Sequence, residues 1–282
     1  VRLRGIRRFH WARDVEEALS LLAAYEGRGA LLAGGVDLAR SPRDDIEGLI
    51  DITRMGYAFV EGKDGKVRIG ATSTLTQVLE HPLARRYAGG VLAEALSRVA
   101  SPPLRNMATL GGAVVSAHPW ADIPTVLVAL GAEARWQGER EEKAALEDLY
   151  EKPFRKIFRQ AVVLEIALPA WSGAFAFEKV ARSAYDIALL NAAAGLGVEE
   201  GRVVWARIAV GARPHRGERL SWLEQALVGE KPAPELWNKV AEEVRARVEV
   251  EDDRRAGGGW RREVAGVCVR RALERAAHKV GL

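Results

Sequence analysis

Cysteine is nearly absent from this sequence. A single Cys268 among 282 residues excludes an internal disulfide, a Cys-ligated iron–sulfur cluster and a multi-Cys zinc site. It falls in a helical apolar pattern with Val264, Val267 and Arg271, which makes it a packing residue. The five histidines, at 10, 81, 118, 215 and 278, include no pair at the i,i+4 spacing of a helical metal site. Redox chemistry on this chain therefore requires an organic cofactor held without metal. Long apolar runs are missing as well: no uncharged stretch reaches the ~18–20 residues that cross a bilayer. The first residues, Val1-Arg2-Leu3-Arg4-Gly5, are basic but have no apolar segment behind them, unlike a secretory signal. Charge of one sign is not in excess. The 42 Lys+Arg against 38 Asp+Glu leave +4, too little to argue for nucleic acid. The 48% hydrophobic and 28% charged content is that of a folded globular protein, and the length suggests more than one domain.

Periodicity gives a coarse map. Residues 14–25 are apolar at 15, 18, 19, 22 and 23, a helical spacing with Asp14 placed to cap it. Ala30–Ala33 reads as a buried strand entering the Gly34-Gly35 turn, and 49–53 as a second strand. Residues 67–69 form a strand after the 63–66 turn. Residues 75–79 and 91–99 are helical, the latter broken at Ser101-Pro102-Pro103. The segment 124–130 is buried, but periodicity does not decide its type. Residues 161–168 are a strand, and 169–173 a boundary. Beyond it, 175–180 alternates as a strand, and 187–198 with 202–211 flank Glu199-Glu200-Gly201 as a hairpin. Helical stretches near 218–228, 234–247 and 260–279 follow. Strands followed by helices predict an antiparallel sheet covered by helices. The expected organisation is α+β: a small unit over 1–56, a second over 57–172 and a C-terminal unit over 173–282.

Two glycine loops carry the candidate chemistry. In Leu31-Leu32-Ala33-Gly34-Gly35-Val36-Asp37-Leu38, a strand runs into Gly-Gly, where backbone N–H groups can approach an anion closely. Ala108-Thr109-Leu110-Gly111-Gly112-Ala113 is a second small-residue loop with a hydroxyl. Alone, each is most simply a tight turn. Together they read as a clamp on a diphosphate, with Thr109 donating to a phosphate oxygen. Asp122 is either a helix N-cap ahead of Pro124 or an acceptor for sugar and polyol hydroxyls. No G-x-G-x-x-G or G-x-x-x-x-G-K-[ST] occurs, and Gly195-Leu196-Gly197 with Gly201 has the wrong last interval, so Rossmann and P-loop readings lose their support. A clamp with an acidic acceptor points to a dinucleotide.

These segments resemble the flavin-binding medium subunit of the molybdenum hydroxylases, the family of xanthine dehydrogenase and aerobic carbon monoxide dehydrogenase. LLAGGVDL at 31–38 is similar to the family's LLAGGTDL. RNMATLGGAVVSAHPWADIPTVLVAL at 105–130 is similar to RNVATIGGNxxxAxPxADLPxxLLAL. IGATSTLTQVLE at 69–80, KVARSAYDIA at 179–188 and RREVAGVCVRRALERA at 261–276 match further family segments in order.

The resemblance implies a two-part FAD-binding domain of the p-cresol methylhydroxylase/vanillyl-alcohol oxidase type, plus a C-terminal antiparallel sheet with helices. It implies FAD wrapped at its diphosphate by Leu31 to Leu38, with Gly34 and Gly35 closest, and clamped by Thr109, Gly111, Gly112 and Ala113. Asp122 is then assigned to ribityl or ribose hydroxyls, and Val163 or Leu164 with Lys179 to the isoalloxazine. From the residues alone, Lys179 reads equally as a salt-bridged strand residue. Tyr185 and Asp186 lie near the cofactor, or Asp186 ties down a turn. The usual Asn after Gly-Gly is Ala113 here, which removes a side-chain amide, with Ser116 nearby to compensate.

The resemblance further implies a cytoplasmic complex, free or held at the inner face of the membrane through its partners, in which molybdopterin and two-iron clusters belong to those partners. Those partners are a small iron–sulfur subunit and a large molybdopterin subunit, arranged as a dimer of heterotrimers. FAD would pass electrons to a small-molecule acceptor. The paired arginines 254–255, 261–262 and 270–271 are solvated faces or subunit contacts. The alternatives are a free-standing FAD oxidoreductase of the same fold and a cofactor-free assembly or binding protein.

No His or Cys lies in either glycine loop to form a covalent flavin link. Acid precipitation should release the flavin as free FAD. Flavin retained in the pellet, or FMN in the supernatant, would contradict this.

Overall fold

The computed structural model describes residues 5–40 and 43–282. The basic stretch read at the N-terminus, Gly5 apart, lies outside the described residues. The chain divides into two compact units. The first comprises residues up to Val78, Ser101–Ser116 and Glu133–Leu168. The second comprises Leu79–Ala100, Ala117–Ala132 and Pro169–Leu282.

The first unit begins with a small α/β layer. Helix Val15–Ala24 starts where the Asp14 carboxylate accepts the Glu17 N–H at 2.8 Å, the N-cap bond expected of Asp. One strand precedes it and two follow, and the three form a parallel sheet in the order Arg8–Trp11, Gly48–Asp51, Gly29–Leu32. Strand Arg8–Trp11 was not legible by alternation, because Phe9 and Trp11 both stay exposed. The second layer is a five-stranded antiparallel sheet, ordered Val60–Lys63, Lys66–Gly70, Val162–Leu168, Glu133–Gln137, Glu141–Ala145. Its first hairpin turns at Asp64 (φ 52°) and Gly65 (φ 75°), both positive as a two-residue hairpin favours. Val162 and Leu164 of the central strand share one core with Ala12, Ala18, Leu22, Ile50 and Ile52.

In the second unit, strands Ala174–Val180, Leu190–Glu199, Arg202–Gly211 and Glu218–Arg219 form one antiparallel sheet in chain order. Glu200 and Gly201 make the expected hairpin turn, with φ of 49° and 74°. Helices Ser221–Leu227, Pro234–Arg247 and Gly258–Lys279 follow. Val269, Leu273 and Ala276 of the last helix sit in one core with Leu190, Ala192 and Ile208 of the sheet. Cys268 is buried in that core, and burial pushes its thiol up to about 12, so it is an inert packing residue.

The undecided segment near 124–130 is helix Asp122–Ala129, with all of its residues buried. It contacts helix Val91–Ser97 and strands Leu190–Glu199 and Arg202–Gly211. A helix covered on every side has no polar stripe to set a period. The paired arginines divide between inside and outside. Arg254, Arg262 and Arg271 are exposed, whereas Arg261 is buried and donates to the Leu189 and Glu251 carbonyls at 3.2 and 2.7 Å. Arg255 donates to the Ile187 and Ala188 carbonyls, both at 2.8 Å. Arg261 is therefore not part of a solvated face, and Arg255 and Arg270 are partly exposed. Among the described residues, no helix is long and apolar enough to cross a membrane.

Glu165 on the central strand of the five-stranded sheet ties three strands together. Arg68 Nε donates to its Oε1 at 3.0 Å, and Arg135, directly opposite it, approaches Oε2 at 3.2 Å. Burial alone would raise this carboxyl. The two guanidinium groups outweigh it and hold Glu165 below its ordinary range. A depressed native value means the contribution is present above the unfolded pKa of ~4.3 and is lost as pH falls through the native value. Glu165→Gln should cost about 1–2 kcal/mol at pH 7, less than a fully buried pair because both arginines are partly solvated. Urea unfolding at a series of pH values should show the deficit shrinking as pH falls from about 5 to 3. A pH-independent deficit would mean the loss is one of shape and not of charge.

Candidate functional site

The first glycine loop leaves strand Gly29–Leu32 and turns at Gly35, whose φ is +68°. A short 3-10 turn, Leu38–Arg40, ends it. The Ala39 N–H donates to the Gly35 carbonyl at 2.8 Å and the Arg40 N–H to that of Asp37 at 3.0 Å. Among the described residues, the N–H groups of Gly34, Gly35 and Val36 have no acceptor. Consecutive N–H groups left open in a turn form a concave anion site. Leu31, Leu32, Ala33, Val36 and Leu38 around them are half-buried, and Asp37 is exposed.

The second loop meets the first within the same unit. A Cβ on Gly34 would collide with the Met107 carbonyl and lie 2.9 Å from the Ala108 Cα. Only glycine allows the two backbones to come this close. The stretch Ala71–Leu75 holds the second loop from the other side. Gly111 N–H donates to the Ala71 carbonyl at 2.9 Å, Leu110 N–H to that of Ser73 at 3.0 Å, and Leu75 N–H to that of Ala108 at 2.8 Å. Thr109 opens helix Leu110–Ser116, where its Oγ1 accepts the Gly112 N–H at 3.2 Å. Ala113 N–H donates to the Thr109 carbonyl at 3.0 Å.

The sequence reading had the second loop's glycines supplying donors to the diphosphate. In the structure those N–H groups are engaged internally, and Gly111 instead gives Ala71 room, since a Cβ there would lie 2.6 Å from the Ala71 Cβ. The open donors belong to the first loop. Thr109 has its hydroxyl proton left to give after accepting from Gly112. Ser116 Oγ donates to the Ala113 carbonyl at 3.4 Å.

Val163 and Leu164 lie on the central strand of the five-stranded sheet, both buried. Leu164 points into the core shared with the small α/β layer, and its carbonyl accepts the Ala71 N–H at 2.8 Å.

Asp122 and Lys179 belong to the second unit, where they form a closed ion pair at 2.7 Å with side chains 5% and 4% exposed. Asp122 is the first residue of its helix and not the cap, which is Ala121. Its other oxygen accepts from Asn191 Nδ2 at 2.7 Å, and Thr125 Oγ1 donates to Asn191 Oδ1 at 2.9 Å. Lys179 Nζ also donates to the Arg98 carbonyl at 2.9 Å, which leaves one ammonium proton of three. Burial raises the Asp122 carboxyl, against the opposing pull of Lys179 and Asn191. Lys179 lines a cavity of about 450 Å³ with Arg98, Ala181, Ser183 and Ala184. Asp186 accepts the Ile187 N–H at 2.8 Å and so fixes a turn, while Tyr185 is exposed.

Two polar residues escaped the sequence reading. Asn191 is the one amide in the otherwise apolar strand Leu190–Val198, a signal that was present. Thr72, buried in the stretch that holds the second loop, has a hydroxyl with no partner among the described residues. A backbone cradle that excludes Cβ atoms, open N–H donors and an unpaired buried hydroxyl fit a bound anionic dinucleotide.

Comparison with known proteins agrees with this geometry. Residues 4–171 match the model of the FAD binding domain in molybdopterin dehydrogenase, and 175–276 that of the CO dehydrogenase flavoprotein C-terminal domain. The chain is 28% identical over 278 residues to the caffeine dehydrogenase subunit beta of Pseudomonas sp. strain CBB1, covering 95% of this chain and 93% of that protein. It is 32% identical over 216 residues to subunit alpha of the 6-hydroxypseudooxynicotine dehydrogenase complex of Paenarthrobacter nicotinovorans, covering 71% and 70%. Among solved structures it resembles a chain of the carbon monoxide dehydrogenase of Hydrogenophaga pseudoflava that lacks the Mo-pyranopterin moiety. That match has a TM-score of 0.89 at 27% identity, over 97% of this chain and 98% of the other.

Gly34→Ala should force the two loops apart and lower flavin content per folded chain at least tenfold. Gly259→Ala is the control, because a Cβ there meets open space. Flavin absorbance against protein concentration, with circular dichroism for folding, reads the outcome. Full occupancy in Gly34→Ala would remove this backbone contact from the cofactor site.

Proposed function

The chain belongs to the family of FAD-binding domains of molybdopterin dehydrogenases, and on that premise we propose that it is the electron outlet of a molybdenum hydroxylase complex. It is an FAD-containing dehydrogenase subunit of the carbon monoxide and xanthine dehydrogenase type. The observation that carries the proposal is the open row of N–H groups at Gly34, Gly35 and Val36, beside the backbone approach of Gly34 to Met107. When bound, FAD supplies redox chemistry in single- or two-electron steps.

The chain's own residues do the holding. The three N–H groups donate to the diphosphate, with no cationic side chain needed. Thr109 keeps its helix in register and retains a proton to donate. Leu31, Leu32 and Val36 limit water around the loop. Asp122 would accept from the flavin's hydroxyls, and Lys179 would offer its remaining ammonium proton to the ring, with Val163 or Leu164 as an apolar neighbour.

The reaction that fills the flavin with electrons lies elsewhere in the complex. One cysteine cannot ligate an iron–sulfur cluster, so we assign the clusters to a small subunit and molybdopterin to a large one. The assembly proposed is a dimer of heterotrimers in the cytoplasm, delivering electrons to a small-molecule acceptor. The names of relatives, which include subunits of caffeine and 6-hydroxypseudooxynicotine dehydrogenases, support a place in a complex. They do not select one substrate for this chain.

Native purification from the source cell, followed by subunit and metal analysis, tests the proposal. Copurification with iron- and molybdenum-containing chains is expected, as is substrate-dependent flavin reduction only in the full complex. Recovery of this chain alone, with flavin reduced by a substrate and neither metal present, would sink it.

A further inference from the structure

We propose that Thr72 is a cofactor-contacting residue whose hydroxyl donates a hydrogen bond to an oxygen of the bound flavin dinucleotide. The inference rests on the FAD reading above.

Thr72 is 6% exposed, and its Oγ1 is buried with no partner among the described residues. The hydroxyls around it are all engaged. Ser73 Oγ donates to the Phe59 carbonyl at 3.0 Å, Thr74 Oγ1 accepts the Gln77 N–H at 3.1 Å, and Thr76 Oγ1 bonds Asn106 Oδ1 at 2.6 Å. Thr109 Oγ1 accepts the Gly112 N–H at 3.2 Å. One orphan in a segment of satisfied hydroxyls is not explained by loose packing. Its backbone is fixed: Thr72 N–H donates to the Tyr57 carbonyl at 3.0 Å, and the carbonyls of Ala71 and Ser73 on either side accept from Gly111 and Leu110 at 2.9 and 3.0 Å. The hydroxyl is therefore held one residue from each of the two bonds that dock the second glycine loop.

A buried hydroxyl without a partner destabilises the chain that carries it, and valine has the same shape without that penalty. A threonine here is accounted for if its partner arrives with the ligand. The oxygens of a dinucleotide, on the diphosphate or the flavin ring, are acceptors and match a donor that has nothing else to bond.

The test uses the full chain stripped of flavin and titrated with FAD, followed by fluorescence quenching and equilibrium dialysis. In Thr72→Val the FAD dissociation constant should rise roughly tenfold to a hundredfold, the loss expected for one hydrogen bond to a charged or polar acceptor. The flavin-free Thr72→Val chain should unfold no earlier than wild type. Thr72→Ser, which keeps the hydroxyl, should bind FAD close to wild type. An unshifted flavin spectrum in Thr72→Val supports contact at the diphosphate, and a shifted one contact at the ring. Unchanged affinity in Thr72→Val would overturn the assignment, leaving the hydroxyl to water. Earlier unfolding of flavin-free Thr72→Val would also overturn it, because the hydroxyl would then have a partner within the chain. Failure of wild type to bind FAD would overturn the FAD reading itself, and this inference with it.

Discussion

The approach of the Gly34 backbone to the Met107 carbonyl is the contact on which the rest of the first unit's site depends. Two loops distant in sequence meet there with no side chain between them. The turn closes through the Ala39 N–H on the Gly35 carbonyl, and the N–H groups of 34–36 have no acceptor among the described residues. The second loop is in turn fixed by Ala71–Leu75, and Ala71 is tied to the central sheet strand through Leu164. The contact between the two loops is thus made by main chain. A site of this kind tolerates substitution wherever side chains point away from it. That explains how the chain carries Val36 and Ala113 where the family pattern has Thr and Asn without losing the backbone geometry.

The second unit solves a different problem, a charge pair taken out of water. Asp122 and Lys179 would each be costly to bury alone, and a buried pair is stable only when its remaining donors and acceptors are matched. Asn191 and the Arg98 carbonyl do this, and Thr125 orients the Asn191 amide. The pair therefore owes its fixed geometry to uncharged neighbours. A hydrophobic substitute of equal volume would not be less stable in principle. Lys179 lines a cavity and keeps one ammonium proton beyond its bonds to Asp122 and Arg98.

Much of this was legible in the sequence, for reasons that differ by element. The Asp14 cap, the Asp64-Gly65 and Glu200-Gly201 turns and the amphipathic helices follow local rules, and the structure bears them out. The glycine loops were legible as motifs because close backbone approach demands glycine in either context. What the motifs could not say is which N–H groups remain open, since that depends on hydrogen bonds to Ala71 and Ser73 made across the fold. Helix Asp122–Ala129 is ambiguous in the sequence because burial on all sides erases the apolar–polar period that marks a helix. Arg261 does not read as buried in the sequence, because a guanidinium goes inside only where backbone carbonyls from separate loops, here Leu189 and Glu251, converge on it, and convergence is a tertiary fact.

The distribution of unsatisfied groups also has a thermodynamic direction. The open N–H groups of 34–36 and the Thr72 hydroxyl belong to the first unit; in the second, the Asp122 carboxylate is paired with Lys179 and Asn191, and the unpartnered buried atoms among the described residues are the Nε of Arg213, Arg245 and Arg270. A ligand that bonds the folded chain and not the unfolded one stabilises it in proportion to the groups it satisfies. The N–H groups, being only half-buried, are hydrated in the flavin-free chain and contribute little to that difference. The Thr72 hydroxyl, shielded from water, contributes a full unmatched bond. On the proposed reading, the cofactor's stabilising effect falls on the glycine loops and the Ala71–Leu75 stretch that holds the second of them to the sheet. The helices Pro234–Arg247 and Gly258–Lys279 rest on a hydrophobic core shared with the sheet of the second unit.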